Sequence, residues 1–249
     1  TGGGIDASSG NYGVQISTNT FVGTTSTGNV SIIGQGGASD GSSNNGVAIE
    51  GTGGRVETSA GNIYIHGTGG DGIGDSNRGV AIWTATVSTG SGELEVTGVG
   101  GGSGASEDNN GIQISGGAIV STTSGPLQLS GTGGLTTGKW NRGVGVFNGA
   151  TVTSATGDIS VNGTGGGTAA SANNHGVHLS AGGVISSTSS GNINVSGTGG
   201  NGSGEANLGV LVHGLEAEIT STAGDINILT DAFAITPAGS ITSGNNSSI

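Results

Sequence analysis

Cysteine and methionine are absent from this chain of 249 residues, and proline occurs only at Pro126 and Pro237. Without cysteine there are no disulfides, which is compatible with either redox compartment. Only four cations, Arg55, Arg78, Lys139 and Arg142, face sixteen acids, so the net charge is -12. A nucleic-acid backbone or an anionic membrane would be repelled, and neither is expected as a partner. No apolar run approaches the roughly 20 residues of a membrane span. A helical stripe of apolar residues at i, i+3 and i+4 is missing too, and Leu, Lys and Glu are scarce. An acidic, lysine-poor surface free of oxidisable sulfur suits the outside of a cell.

What the chain has instead is glycine, 59 residues of it. Glycine does not recur at every third position, which excludes collagen. Low-complexity disorder is excluded by aliphatic residues two apart in every period, enough to bury a core. The organising stretch is Gly61-Asn62-Ile63-Tyr64-Ile65-His66-Gly67-Thr68-Gly69-Gly70, which reads as one strand and one glycine loop. Copies begin at Gly28, Gly92, Gly125, Gly157 and Gly191, and one from Gly224 keeps the strand but loses the glycines. A second marker, Asn-x-Gly before an aliphatic residue, places glycines at 13, 46, 79, 111, 143, 176 and 209; subtraction gives spacings of 33, 33, 32, 32, 33 and 33. So regular a period means a repeat architecture.

Each period holds three strand-like pieces, for example Val47 to Ile49, Arg55 to Thr58 and Ile63 to Ile65. Alternation turns Val47, Ile49, Val56, Ile63 and Ile65 to one side. A handful of aliphatics cannot form a core alone, but stacked on identical neighbours they form continuous columns. The expected fold is therefore all-β: a parallel β-helix, or β-solenoid, with three strands per coil and about seven coils of 32–33 residues. At the strand spacing of about 4.8 Å, such a rod is on the order of 35 Å long. We expect one solenoid domain over 1–249: a partial first coil at 1–10, regular repeats at 11–230, and a divergent terminal coil at 231–249 with short strands on either side of Pro237-Ala238-Gly239. Both ends of the chain read as interior to a longer rod, without a polar cap.

The seven Asn of Asn-x-Gly are Asn11, Asn44, Asn77, Asn109, Asn141, Asn174 and Asn207, whereas the residue between varies: Tyr, Asn, Arg, Asn, Arg, His, Leu. An inward Asn donates and accepts at once, so stacked copies would form a structural ladder. The competing reading is that Asn merely tolerates a left-handed turn. Gly-Thr-Gly-Gly recurs in most coils with no following helix, which suits turn geometry rather than phosphate binding. Asp71 and Asp75 are too few for a dedicated calcium site.

Carboxylates at Glu50, Glu57, Glu93, Glu95, Asp158, Glu216, Glu218 and Asp225 scatter over different coils, leaving no acid and base pair. Arg78 and Arg142 share a column two coils apart, roughly 10 Å, too far for a joint clamp, and are expected to be solvated. His175 and His178 are expected to face opposite ways, and His66 and His213 add no metal-ligand spacing. Hydroxyls at Ser88, Ser121, Thr153, Ser186 and Thr220 are expected to solvate one sheet face, without the flat Thr-x-Thr array of ice-binding solenoids. No catalytic, cofactor-binding or metal-binding residue is assigned. Trp83 and Phe147, expected to point outward two coils apart, are the only support for a carbohydrate-binding or carbohydrate-cleaving groove.

The complete repeat, Asn-x-Gly-Val-x-Ile, a Ser/Thr strand, Gly-Asn-Ile-x-Ile, Gly-Thr-Gly-Gly and a polar loop, resembles the repeat region of filamentous-haemagglutinin-like exoproteins, above all the glycine-rich cyanobacterial versions. The likeness covers nearly the whole chain. It implies a right-handed parallel β-helix, export from a Gram-negative bacterium by two-partner secretion, and a structural or adhesive role at the cell surface or in extracellular fibres. Partners implied are neighbouring coils of the same or identical chains, cell-surface glycans or other cells. The Asn-Pro-bearing secretion domain of that family is absent, since Pro126 follows Gly125 and Pro237 follows Thr236.

Overall fold

Paired aliphatics and a shortage of helix formers leave the chain one way to bury apolar surface, which is to pleat and stack. In the computed structural model, which describes residues 1–244 and 248, 23 strands form three sheets and no helix occurs among the described residues. Sheets 1 and 2 have eight strands and sheet 3 has seven, each strand lying beside its counterparts in the coils before and after. Every pairing is parallel, as in Val47–Glu50 on Val80–Trp83, Arg55–Thr58 on Thr86–Thr89 and Ile63–Thr68 on Leu94–Val99. The molecule is a three-faced parallel β-solenoid.

Five aliphatic columns fill it. Val47, Val80, Ile112, Val144, Val177 and Val210 stack in register, and Ile49, Ile82, Ile114, Val146, Leu179 and Val212 stack beside them. Sheet 2 adds Val56, Val87, Val120, Val152, Ile185 and Ile219, and sheet 3 adds two more columns starting from Val30 and Ile32. In the middle coils these side chains are wholly buried. Each such side chain contributes about 1.5–3 kcal/mol, but only while the coils above and below cover it.

Gly67 and Thr68 belong to the third strand, so the loop of the glycine motif begins only at Gly69. Gly67 has a packing reason: a Cβ there would lie 2.0 Å from the Gly79 carbonyl oxygen, and one on Gly79 would lie 2.3 Å from the Val99 nitrogen. The same backbone-on-backbone contact recurs at Gly34 with Gly46, Gly98 with Gly111, Gly131 with Gly143, Gly163 with Gly176 and Gly197 with Gly209. The two glycine markers are thus the two halves of one corner, where the end of sheet 3 crosses the start of sheet 1 and the polar loop is pinched at its neck.

The ladder Asn line that neck. The N–H of Asn11 donates to Asn44 Oδ1 at 3.1 Å, and the same bond runs from Asn44 to Asn77, Asn77 to Asn109, Asn109 to Asn141, Asn141 to Asn174 and Asn174 to Asn207. Each amide also closes its own loop, as Asn44 Nδ2 does on the Gly41 carbonyl at 2.7 Å and Asn141 Nδ2 on the Gly138 carbonyl at 3.0 Å. Asn44, Asn77, Asn109, Asn141 and Asn174 are fully buried. The left-handed backbone sits one residue earlier, at Ser43, Ser76, Asp108, Trp140, Asn173 and Ala206, with φ between 57° and 65°. Turn tolerance therefore does not select Asn; its donor and acceptor do.

After Thr230 the chain omits the polar loop. Phe233–Ile235 and Ser240–Ser243 still join sheets 1 and 2 in parallel register, and Asp231 accepts the Gly199 N–H at 3.0 Å in the absence of the usual turn. Residues 245–247 and 249 of the terminal coil lie outside the described residues. At the other end, 1–10 stacks on the first full coil through Gly2 N–H to the Gln35 carbonyl at 2.7 Å.

Candidate functional site

Because the interior repeats, whatever distinguishes one coil from the next must lie outside. Sheets 2 and 3 present mostly Ser, Thr, Asn and Gln. The outer face of sheet 1 differs. It carries the variable residue of Asn-x-Gly, which here includes Tyr12, Asn45, Arg78, Asn110, Arg142 and His175, and beyond it an outward column of Gln15, Ala48, Ala81, Gln113, Gly145, His178 and Leu211. A chain with only two Trp, two Tyr, three Phe and four His thus concentrates Tyr12, Trp83, Phe147, His175, His178 and His213 on this one face.

Arg78 and Arg142 are not solvated. Asp108, from the coil between them, binds both: Arg78 Nη2 meets Asp108 Oδ2, and Arg142 Nη1 meets Asp108 Oδ1 at 3.2 Å. The two coils that separate the arginines leave room for an intervening carboxylate, which spacing within the arginine column alone conceals. Their side chains are 15% and 14% exposed, so the triad is buried enough for breaking it to matter. Asn110 Nδ2 donates to Asp108 Oδ1 at 2.9 Å and to Gln113 Oε1 at 2.8 Å, fixing the carboxylate and the next side chain together.

His175 and His178 share this face, with ring centroids 4.9 Å apart, and His213 lies 6.3 Å from His178. Period-2 alternation begins only at Val177, after the corner glycine, so it does not reach back to His175. Phe147 is likewise buried rather than projecting. It folds over Gly145, where a Cβ would lie 2.3 Å from the ring, packs edge-on against His178 at 5.1 Å, and lies under the Arg142 guanidinium at 5.2 Å. Arg142 Nε donates to His178 Nδ1 at 3.0 Å, which places the imidazole proton on Nε2, a buried atom with no partner among the described residues. Burial, with Arg142 and the other histidines adding to it, pulls His178 down to about 2; burial, then Arg142 and His213, pulls His175 down to about 4. Both rings are neutral at pH 7. Burial also lowers Arg142, against the pull of Asp108.

Beside this packed half lies an open one. Tyr12, Asn45, Glu50, Arg78, Ala81, Trp83, Gln113 and Ser115 line a cleft of about 70 Å³. Its floor is low because Ala81 stands where other coils carry Gln113 or His178. Trp83 forms one wall, 57% exposed, and its indole lies across Gly116 of the next coil, where a Cβ would come within 2.3 Å of Cδ1 and Nε1. Glu50 is held by Gln15 Nε2 at 2.6 Å. Arg78 is anchored on Asp108 and on Ser76 Oγ at 3.0 Å, which leaves its buried Nε without a partner among the described residues. Burial and Glu50 raise the Tyr12 hydroxyl above its ordinary pKa, partly opposed by Arg78.

Two further hydrogen-bond columns escape a reading by repeat consensus. The Gly-Asn/Gly-Asp corner forms its own ladder, Asn62 N–H to Asn29 Oδ1 at 2.8 Å, Glu93 to Asn62, Asn192 to Asp158 and Asp225 to Asn192, interrupted where Pro126 has no N–H. On sheet 2 the stacking hydroxyls are mainly the buried Thr58 with Thr89 and Thr122 with Ser154, both 2.9 Å; of the outward ones, Ser186 bonds Thr153 at 3.0 Å. Asp75 Oδ1 accepts the Glu107 N–H at 2.8 Å, and among the described residues no group of three acidic, His or Cys side chains is placed to hold a metal ion. No protein-family model, curated protein or solved structure matches the chain.

Proposed function

We propose that this chain is a non-catalytic segment of a large exported exoprotein, structural along its length and adhesive through the outer face of sheet 1. The observation that carries the reading is the contrast between faces. Sheets 2 and 3 carry mostly Ser, Thr, Asn and Gln, with Phe21 and Arg55 on one and Tyr64 and His66 on the other, whereas sheet 1 locks Arg78, Asp108, Arg142, Phe147, His175 and His178 into a contact network beside the exposed Trp83. A scaffold that needs only to persist has no use for such a face; one that docks does. The polar groups there are committed in ways that favour binding over chemistry. Asp108 is spent on two guanidiniums, and Glu50 has no second carboxylate positioned beside it for acid and base work. The repeat's resemblance to cyanobacterial filamentous-haemagglutinin-like exoproteins supports a secreted or cell-surface setting, with surface glycans, other cells or further coils as partners.

The test is adhesion. Beads coated with the folded chain are expected to attach to bacterial or algal cells, and beads carrying a chain in which Tyr12, Trp83 and Arg142 are all changed to Ser are expected to detach under the same flow. Equal attachment of both would remove sheet 1 from the reading, and release of reducing sugar from a polysaccharide panel would overturn its non-catalytic part.

A further inference from the structure

We infer that the cleft over Ala81 takes one neutral pyranose unit of a polysaccharide, stacked on Trp83 and hydrogen-bonded by Glu50, Arg78 and Gln113. The inference rests on the reading of sheet 1 as the docking face and gives that face a chemical class of ligand.

Trp83 supplies the apolar platform. Its indole is more than half exposed and is held in place by Gly116 rather than left free to turn away, which suits a stacking surface. Opposite it stand polar groups that are already immobilised by the protein, so a ligand orders little on arrival. Glu50 accepts only, the Arg78 guanidinium, which lines the cleft, donates only, and Gln113 Nε2 has just a 3.5 Å contact with Ser115 Oγ. Vicinal hydroxyls, each of which donates and accepts, match such a set.

Charge narrows the class. The Arg78–Asp108–Arg142 triad keeps one positive charge and Glu50 carries one negative, so the cleft offers an anionic sugar no net positive charge, on a chain of net charge -12. The sheet also disfavours a peptide, because its interior strands are paired on both sides and offer no edge for strand addition here. The cleft runs from Tyr12 to Gln113 and Ser115, with Glu50 and Trp83, whose Cα positions pair directly, at its centre, and Gln113 closes it where alanine gives way. At about 70 Å³ the cleft admits one edge of a ring, and the rest of that ring and of the polymer lies over the rim against Trp83.

The experiment uses the whole folded chain and neutral trisaccharides of β-linked glucose, α-linked glucose and mannose, with trigalacturonate as the anionic comparison. The two indole N–H resonances are separated by Trp140→Phe. At least one neutral trisaccharide is expected to shift the Trp83 resonance saturably. Trp83→Ala and Ala81→Leu, the second of which fills the floor and removes no polar group, are each expected to weaken binding at least tenfold with unchanged melting. Ser121→Ala on sheet 2 should leave binding as it was. Absence of neutral-sugar binding, tighter binding of trigalacturonate, or binding that survives both cleft variants overturns the inference. If beads still adhere to cells when the sugars fail, the cleft assignment falls and the docking face stands. If sugars bind but beads do not adhere, the cleft stands and adhesion falls.

Discussion

Asn109 and Asn141 share one oxygen: the Asn109 N–H and Nδ2 both donate to Asn141 Oδ1, at 3.1 and 2.9 Å, with both residues fully buried. Removing the Asn109 side chain orphans groups on two coils at once. Asn109→Ala is expected to cost about 1–3 kcal/mol in denaturant unfolding. The neighbouring Asn110 is no neutral control, since it too is buried and bonded to Asp108 and Gln113. Asn162, exposed on sheet 3, serves instead, and Asn162→Ala should change stability by no more than about 0.5 kcal/mol. Equal effects at the two positions would contradict a buried ladder.

Two glycines separate conformation from contact. Gly104 has φ 58° and open space where a Cβ would go, whereas Gly131 has no positive φ but would set a Cβ 2.1 Å from the Gly143 carbonyl oxygen. Gly104→Ala is expected to cost about 1 kcal/mol through backbone strain alone. Gly131→Ala is expected to cost about 3 kcal/mol, because backbone must move. Thermal melts that rank them in the reverse order would refute the pinched corner.

Acid should weaken the protein through two buried histidines. His178 and His175 are held neutral in the fold, near 2 and 4 against 6.5 in the unfolded chain. The unfolded state therefore binds the extra protons, so stability is fully present above pH 6.5 and declines as pH falls below it. Each ring should contribute a slope of about 1.4 kcal/mol per pH unit between pH 6.5 and 5. Urea titrations at pH 7.5, 6 and 5 measure it, and His178→Gln is expected to remove about half of the slope in that window. A flat profile over the same range would mean that the rings are hydrated.

Excision of one coil tests the solenoid and the cleft together. Deleting residues 77–108 joins Ser76 to Asn109 and keeps the Asn column in step, so β-type circular dichroism should persist. Small-angle scattering should report a rod shorter by about 4.8 Å. Because Arg78, Trp83 and Asp108 leave with that coil, saccharide binding should vanish while the fold remains. Loss of the β signal would show that the coils are not interchangeable.

The fold was legible because its cause is periodic: aliphatics two apart, recurring every 32 or 33 residues, leave stacking as the one arrangement that buries them. The sheet 1 face was legible only in part, because its contacts join residues about one period apart whose types differ from coil to coil. Asp108 illustrates this. It precedes a ladder Asn in a left-handed position occupied elsewhere by Ser76 or Trp140, so nothing local marks it as the partner of Arg78 and Arg142. The expectation that His175 and His178 face opposite ways fails because period-2 alternation starts at Val177 and does not pass the corner that Gly176 makes. The variable residue of Asn-x-Gly puts Tyr12, Arg78, Arg142 and His175 in one column, but Asp108, which links the two arginines, lies outside it, two positions earlier in its own coil than Asn110.

The side-chain ladders also have a direction. In the Asn column the lower coil donates its N–H to a carbonyl on the coil above, as Asn44 does to Asn77. In the neighbouring column the upper coil donates to the coil below: Arg78 N–H to Asn45 Oδ1, Arg142 N–H to Asn110 Oδ1 and Leu208 N–H to His175 Nδ1. The side-chain carbonyls of Asn45 and Asn110 therefore point the opposite way along the axis from those of the Asn column, and their dipoles oppose it in those two coils. A helix gathers charge at its ends as it begins to grow; here the second column opposes the Asn column at three steps against its six, so lengthening the rod by duplication builds only part of the field that the Asn column alone would give.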